Sequence, residues 1–288
     1  MTRAILLDGY GPPDVLRLGE IEVGAPDAGQ IRVAVRAAGV GPTDLAIRSG
    51  KLGARFPGSV LGFEAAGVVE SVGLGVDDVA AGDEVAVLLP ELGGYAELVV
   101  ADHWTLKPPA VSWAEAAALP ASGEAAVRVL DQLAVVAGET MLLLGAAGSV
   151  GLIATQLAVA RGITVVAAVR PDDFALVEGL GATPVDYHAV AAGPVDAVFD
   201  ASGRADLPAM IELAGGPERV ITLSDHRAAA LGVVLSEIEP SRVRAALATV
   251  FGAGLTPQAR TVVPLAEAGS AHARLESGSV RTKFVLEV

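Results

Sequence analysis

Apolar and polar positions alternate along Ile31-Arg32-Val33-Ala34-Val35-Arg36 with the two-residue period of a half-buried strand. Similar short segments follow at Ala66-Gly67-Val68-Val69-Glu70-Ser71-Val72-Gly73 and at Glu84-Val85-Ala86-Val87-Leu88-Leu89. Together they predict a β-barrel-like lobe. After Pro108-Pro109 the texture changes to an alanine-rich helix over Ser112–Leu119, with Ser112 and Glu115 in capping-box positions. Strand and helix patterns then alternate to residue 254, with strands expected at Thr140–Leu144, Thr164–Val169, Ala197–Asp200, Arg219–Leu223 and Leu231–Leu235. That alternation predicts an open, doubly wound parallel sheet. The tail returns to the first texture: a strand at Arg260–Val263, a helix over Leu265–Leu275 and a last strand at Lys283–Val288. The expected organisation is therefore an α/β domain over residues 121–254 inserted into a barrel-like domain made of residues 1–120 and 255–288.

The first βαβ unit carries candidate chemistry. Between the strands 140–144 and 164–169 lie Gly145-Ala146-Ala147-Gly148-Ser149-Val150-Gly151 and an apolar helical stretch that ends at Gly162. A pyrophosphate must approach the N–H groups of a helix N-terminus closely, and the helix dipole favours its charge; side chains in the turn would block the approach. The strict fingerprint is Ala146-x-Gly148-x-x-Gly151, with an extra Gly145 in front. These residues are candidates for binding a dinucleotide. The second strand ends at Arg170, where an acidic residue would bond the ribose 2′-hydroxyl and an arginine instead receives a 2′-phosphate. NADPH is expected over NADH. Asp172 and Asp173, after Pro171, are expected to cap the next helix, with the cofactor's ribose as their alternative partner.

Charge and composition narrow the partners. A formal charge of −14 disfavours nucleic acid and anionic membrane surfaces. With no cysteine, disulfides, thiolate nucleophiles and Cys-ligated zinc are all excluded. The four histidines, His103, His188, His226 and His272, are too scattered for a spaced ligand set and are expected on surfaces or turns. The apolar run from Leu142 to Val169 is interrupted by Gly145, Gly148, Gln156, Arg161 and Gly162, as buried strands and helices are, and no membrane span is expected. Asp8 interrupts the N-terminus before a signal core could form, so a cytoplasmic location is expected.

Several ordered motifs resemble the medium-chain dehydrogenase/reductase superfamily, in its zinc-free quinone oxidoreductase branch. They are Ala37–Asp44 followed by Ile47-Arg48-Ser49-Gly50, Leu61–Val69, Gly82–Val85, Gly93–Glu97, the glycine turn and Phe199–Gly203. The resemblance implies a GroES-like catalytic domain around a Rossmann domain, with the nicotinamide in the cleft between them. It places Gly41, Ala46, Phe63 and Tyr95 on the substrate side, Thr43 and Asp44 in the substrate-side turn, and Tyr187 and Ser202 beside the cofactor, with a half-buried aromatic at a strand end as the alternative for Tyr187. Zinc-dependent relatives put Cys where this chain has Gly41 and His where it has Phe63; zinc-free relatives usually put Asn and Tyr where it has Gly41 and Ala46. Relatives also often add Lys where Phe174 stands. A catalytic zinc needs about three protein ligands, so metal catalysis is not expected.

The expected reaction is hydride transfer from NADPH to a quinone or conjugated enone, whose π-system spreads the developing charge. Thr43 is a candidate proton relay; Asp44 has the alternative of a structural ion pair. Glu124 is a candidate general acid, with a solvent-facing glutamate at a helix start as the alternative. Two other functions fit the same residues: a trans-acting enoyl reductase or dedicated biosynthetic reductase, and an NADPH-binding protein with a regulatory or structural role. The apolar run Leu231–Leu235, read as an edge strand, suggests a homodimer.

Overall fold

The computed structural model describes residues 1–52, 58–188, 190, 193–278 and 282–288, and the chain divides into two units, Met1–Ala121 with Thr256–Val288, and Ser122–Leu255. The first unit begins with β1 (Thr2–Leu7), β2 (Leu16–Ile21), β3 (Ile31–Val40), helix α1 (Pro42–Arg48), β4 (Glu64–Val72), β5 (Glu84–Leu88), β6 (Leu98–Ala101), β7 (His103–Leu106) and α2 (Trp113–Ala116). The α2 capping box forms as its sequence predicts: Glu115 N–H donates to Ser112 Oγ, and Ser112 N–H donates back to the Glu115 carboxylate.

Helix α3 (Pro120–Leu133) leads into the second unit, which holds β8 (Thr140–Leu144), α4 (Ser149–Ala160), β9 (Thr164–Val169), α5 (Phe174–Glu178), β10 (Thr183–Asp186), β11 (Ala197–Asp200), α6 (Leu207–Ala214), β12 (Val220–Thr222), α7 (Ala228–Leu231), β13 (Val234–Leu235) and α8 (Pro240–Gly252). The chain returns to the first unit with β14 (Arg260–Pro264), α9 (Ala268–Glu276) and β15 (Lys283–Glu287).

Register explains that return. In the first unit's larger sheet the order is β14-β15-β3-β4-β5-β7, and β6 also pairs with β3. β15 lies antiparallel to β3 with Phe284 opposite Val40, while on the other side of β3 Ala65 of β4 faces Ala38. The tail is thus an integral part of the sheet that β3 begins. Its inward side chains, among them Val33, Val69, Val87, Phe284 and Leu286, form one core.

The second unit is a six-stranded parallel sheet of order β10-β9-β8-β11-β12-β13. Met141, Leu142 and Leu143 are successive and fully buried, as strands covered on both faces must be. One expected strand is corrected. Leu231 ends α7, Gly232 stops that helix with φ +72°, and only Val234 and Leu235 pair with β12. The apolar run therefore contains a helix end as well as a strand, because a left-handed glycine terminates helices.

Candidate active site

Strand order in the second unit reverses between β8 and β11, and in open parallel sheets such a switch leaves a crevice at the strands' C-terminal ends. Gly145, Arg170, Tyr187 and Ser202 each stand just past the end of a strand on this edge: β8, β9, β10 and β11 respectively. Gly145 has φ +79°, and a Cβ there would lie 3.2 Å from Ser202 N, so the turns after β8 and β11 abut through it. Gly151 is required by packing: its Cβ would come within 2.3 Å of Gly145 O and 2.5 Å of Ala146 Cα. Ala146 is buried and Ala147 half-buried. Gly148 is the exposed N-cap of α4, and its lack of a side chain leaves clear the first-turn N–H groups, beside which Ser149 and Val150 are half-buried. The turn fits a pyrophosphate: a positive helix end whose N-cap carries no Cβ.

Arg170 and Tyr187 follow the paired residues Val169 and Asp186, so parallel register sets them side by side. Arg170 is exposed, and Tyr187, 42% exposed, stacks on His188 with ring centroids 3.8 Å apart. Asp173 stands at the N-cap of α5, but its side chain makes no cap hydrogen bond, contrary to expectation. Its backbone departs from the extended N-cap geometry because Pro171–Asp173 form a 3-10 turn.

Ser202 is pinned by a residue that the sequence reading passed over. The fully buried carboxylate of Asp200 accepts the Ser202 N–H at 3.0 Å, its hydroxyl at 2.6 Å, the Gly203 N–H at 3.0 Å and the Thr222 hydroxyl at 2.9 Å. The run Asp-x-Ser-Gly at a strand end was the available signal.

Glu124 does not face solvent. Only 2% exposed, it gives both carboxylate oxygens to Arg128 one helical turn on, at 2.7 and 3.2 Å. Arg128 continues to Ser236 Oγ, which donates to Gln132 Oε1 at 2.6 Å. The i, i+4 spacing of Glu124 and Arg128 was legible in the sequence; the buried partner Ser236 was not.

In the first unit α1 gathers the substrate-side candidates. Gly41 is its extended N-cap and Pro42 its first residue; Asp44, at the third position, accepts the Gly41 N–H at 2.8 Å. The other Asp44 oxygen accepts the Gly62 N–H at 3.0 Å. Asp44 is a buried double acceptor, and burial pushes its carboxyl up to about 6, against the opposing pull of the Gly41 N–H and of Lys283. Thr43 is exposed on the first turn, while Ala46 and Phe63 are half-buried.

Tyr95 is sealed inside and meets His272 Nε2 through its hydroxyl at 3.1 Å; burial, and then the Asp44 charge, drive its phenol well above the ordinary range. His272 is fully buried, against the expectation of a surface histidine, because α9 packs its inner face into the core. Burial and then nearby Arg48 lower its imidazole to about 3, and its Nδ1 has no hydrogen-bond partner. His188 and His226 are exposed in turns, and His103 is half-buried on β7.

A buried ion pair was also missed. Lys283 Nζ lies 2.5 Å from Glu64 Oε1, and Glu64 Oε2 accepts the Ala121 N–H at 2.8 Å. Gly39 makes this possible, since a Cβ there would sit 2.3 Å from Glu64 Oε1. The Glu64 side chain crosses β3 at that gap to reach β15. Among the described residues, no group of three or more His, Cys, Asp or Glu side chains is placed to hold a metal ion.

Residues 27–110 match the alcohol dehydrogenase GroES-like domain. The quinone oxidoreductase of Rattus norvegicus is 34% identical over 223 residues, covering 74% of this chain and 66% of that protein. A segment of the spectinabilin polyketide synthase system protein NorB of Streptomyces orinoci is 38% identical over 204 residues, 69% of this chain and 9% of that protein. Among solved structures, the quinone oxidoreductase from Coxiella burnetii superposes with TM-score 0.84 at 29% identity, covering 100% of this chain and 99% of that one. The matched segments span 49% to 66% of the curated quinone oxidoreductases. The chain belongs to the medium-chain dehydrogenase/reductase superfamily, in its quinone oxidoreductase-like branch.

Proposed function

We propose that the protein is an NADPH-dependent oxidoreductase that reduces a quinone or a conjugated enone without a metal ion. The observation that carries this reading is the β8–α4 turn, where Gly145, Gly148 and Gly151 keep side chains away from a helix N-terminus. NADPH, when bound, would supply the hydride, the acceptor taking that hydride and one proton from solvent to give hydroquinone or saturated carbonyl and NADP+. The backbone donors of the turn hold the pyrophosphate, Arg170 receives the 2′-phosphate with Tyr187 beside it, and Asp200 fixes the Ser202 turn against Gly145. Gly41, Ala46, Phe63 and Tyr95 shape the acceptor's side, with Thr43 and Asp44 in the same turn.

Residue identity supports metal independence. Gly41 and Phe63 stand where the zinc-dependent members of the superfamily carry ligands, and neither can bind a metal. The names of the relatives support the acceptor class. A homodimer in the cytoplasm completes the reading, supported by Val234, 42% exposed on the edge of the parallel sheet.

The test is NADPH consumption with 1,4-naphthoquinone and methyl vinyl ketone, with elemental analysis alongside. Reduction of either, unchanged by chelators, is expected. Oxidation of simple alcohols with no reduction of these acceptors, or chelator-sensitive turnover with stoichiometric zinc, would overturn the reading. The similarity to a polyketide synthase segment favours a second reading, an enoyl reductase; preference for an enoyl thioester over both probes would select it. NADPH bound but never consumed would select a regulatory role.

A further inference from the structure

We propose that Lys283 is the hydrogen-bond donor for the acceptor's carbonyl oxygen, reached through the opening left by the missing side chain of Gly41. The inference rests on the reading above that position 41 faces the substrate. Hydride addition to a quinone or enone leaves negative charge on that oxygen, and a preorganised cation in a water-poor site stabilises it.

The sheet register brings the two residues together. Phe284 pairs with Val40, so Lys283, one residue earlier on the antiparallel β15, lies against Gly41, one residue later. A Cβ built on Gly41 would stand 3.9 Å from Lys283 Nζ and 3.6 Å from Asp44 Oδ2. Those are ordinary contacts, and Gly41 has φ −125°, a backbone open to any residue. Neither crowding nor backbone geometry demands glycine here; its consequence is access. An oxygen seated about 1 Å deeper than that Cβ would come within the ~2.9 Å range of an N–H···O bond.

Charge is arranged to leave the ammonium with donors to spare. Lys283 is 6% exposed, and among the described residues its ion-pair partner is Glu64, which takes one of three N–H groups. The remaining Glu64 oxygen is occupied by the Ala121 N–H. Asp44, the nearby carboxyl, has one oxygen on the Gly41 N–H and the other on the Gly62 N–H. Both acids are therefore anchored to backbone, and Lys283 is the cationic group beneath the opening.

The experiment compares the unmodified protein with Gly41→Val, Lys283→Met and Lys283→Arg. Two measurements are made: steady-state reduction of 1,4-naphthoquinone by NADPH, and spectroscopic titration of bound 4-nitrophenol, whose phenolate mimics the oxyanion. Lys283→Met should lower kcat about tenfold or more, with NADPH affinity measured by fluorescence unchanged and Lys283→Arg restoring part of the loss. Bound 4-nitrophenol should ionise at lower pH than free 4-nitrophenol in the unmodified protein and lose that shift in Lys283→Met. Because Lys283→Met leaves Glu64 buried without its partner and can unfold the chain, Gly41→Val serves as the second probe. It closes the opening at a position where a Cβ makes only ordinary contacts, and it should abolish the phenol shift in a folded protein.

The phenol titration needs no turnover, so it decides the role of Lys283 even if no quinone or enone is reduced, a result that would sink only the broader reading. An unshifted phenol in the unmodified protein, or a shift retained in Gly41→Val, would overturn the proposal. So would kcat within about twofold of the unmodified value in folded Lys283→Met.

Discussion

The hydroxyl of Tyr95 meets Nε2 of His272 at 3.1 Å in a part of the core closed to solvent. Folding lowers the imidazole from 6.5 to about 3, chiefly by burial, so between those pH values the unfolded chain binds a proton that the folded one does not. Stability from this residue is present above pH 6.5 and is lost as pH falls toward 3. Asp44 acts with the opposite sign: its carboxyl rises from 3.8 to about 6, so its contribution weakens as pH increases through that window. Replacing His272 with Phe separates the two. Urea midpoints of the unmodified protein and the variant should converge as pH drops from 7 to 4, after a cost at pH 7 of about 1–3 kcal/mol for the hydrogen bond that the Tyr95 hydroxyl loses. A difference that does not change with pH would contradict the burial argument.

Gly151→Ala should be destabilising and should abolish nucleotide binding. Its Cβ would meet backbone atoms of Gly145 and Ala146, which cannot rotate away as side chains do. A loss of about 3 kcal/mol is expected in thermal or denaturant unfolding, with no NADPH binding detectable by fluorescence. Gly148→Ala, with its tightest neighbour 3.2 Å away, should keep the fold and weaken binding.

Arg170 should set cofactor preference. One charge-assisted phosphate contact is worth about 1.5–3 kcal/mol, roughly tenfold or more in affinity. Calorimetry should find NADPH bound more tightly than NADH, and Arg170→Ala should remove most of the difference. Equal affinities before mutation would end this assignment.

Glu124 is expected to act through stability. Removing the carboxylate strands Arg128 in a buried site, at a cost of about 3–5 kcal/mol. Glu124→Ala should therefore lose more stability than Glu124→Ala combined with Arg128→Ala, and turnover per folded Glu124→Gln molecule should stay within about twofold. A large drop in turnover with unchanged stability would instead identify Glu124 as the proton donor.

The short, partly exposed β13 gives the dimer a concrete check. Light scattering at micromolar concentration should give twice the chain mass, and Val234→Lys should shift it toward one chain, because a charge on an edge strand opposes strand pairing. A single-chain mass for the unmodified protein would remove the dimer from the reading.

What the chain determined locally was readable from it. The limits of β8, β9 and β11, the Ser112–Glu115 capping box and the existence of a helix between the glycine turn and Gly162 follow from periodicity and capping over a few residues, where near neighbours control backbone conformation. The short β13 escaped because Gly232 acted as a helix stop inside an apolar run. Only tertiary structure decided the charged interior. Glu64 reaches Lys283 across β3 because Gly39 leaves a gap; His272 lies under Tyr95 because α9 packs into the first unit's core; Arg128 finds Ser236 because α3 passes the loop after β13. Each pairing joins residues far apart in sequence, where neither period nor propensity acts. Their consequences, a buried cation beneath Gly41 and an imidazole held neutral, come from desolvation, which exists only once the chain has closed around them.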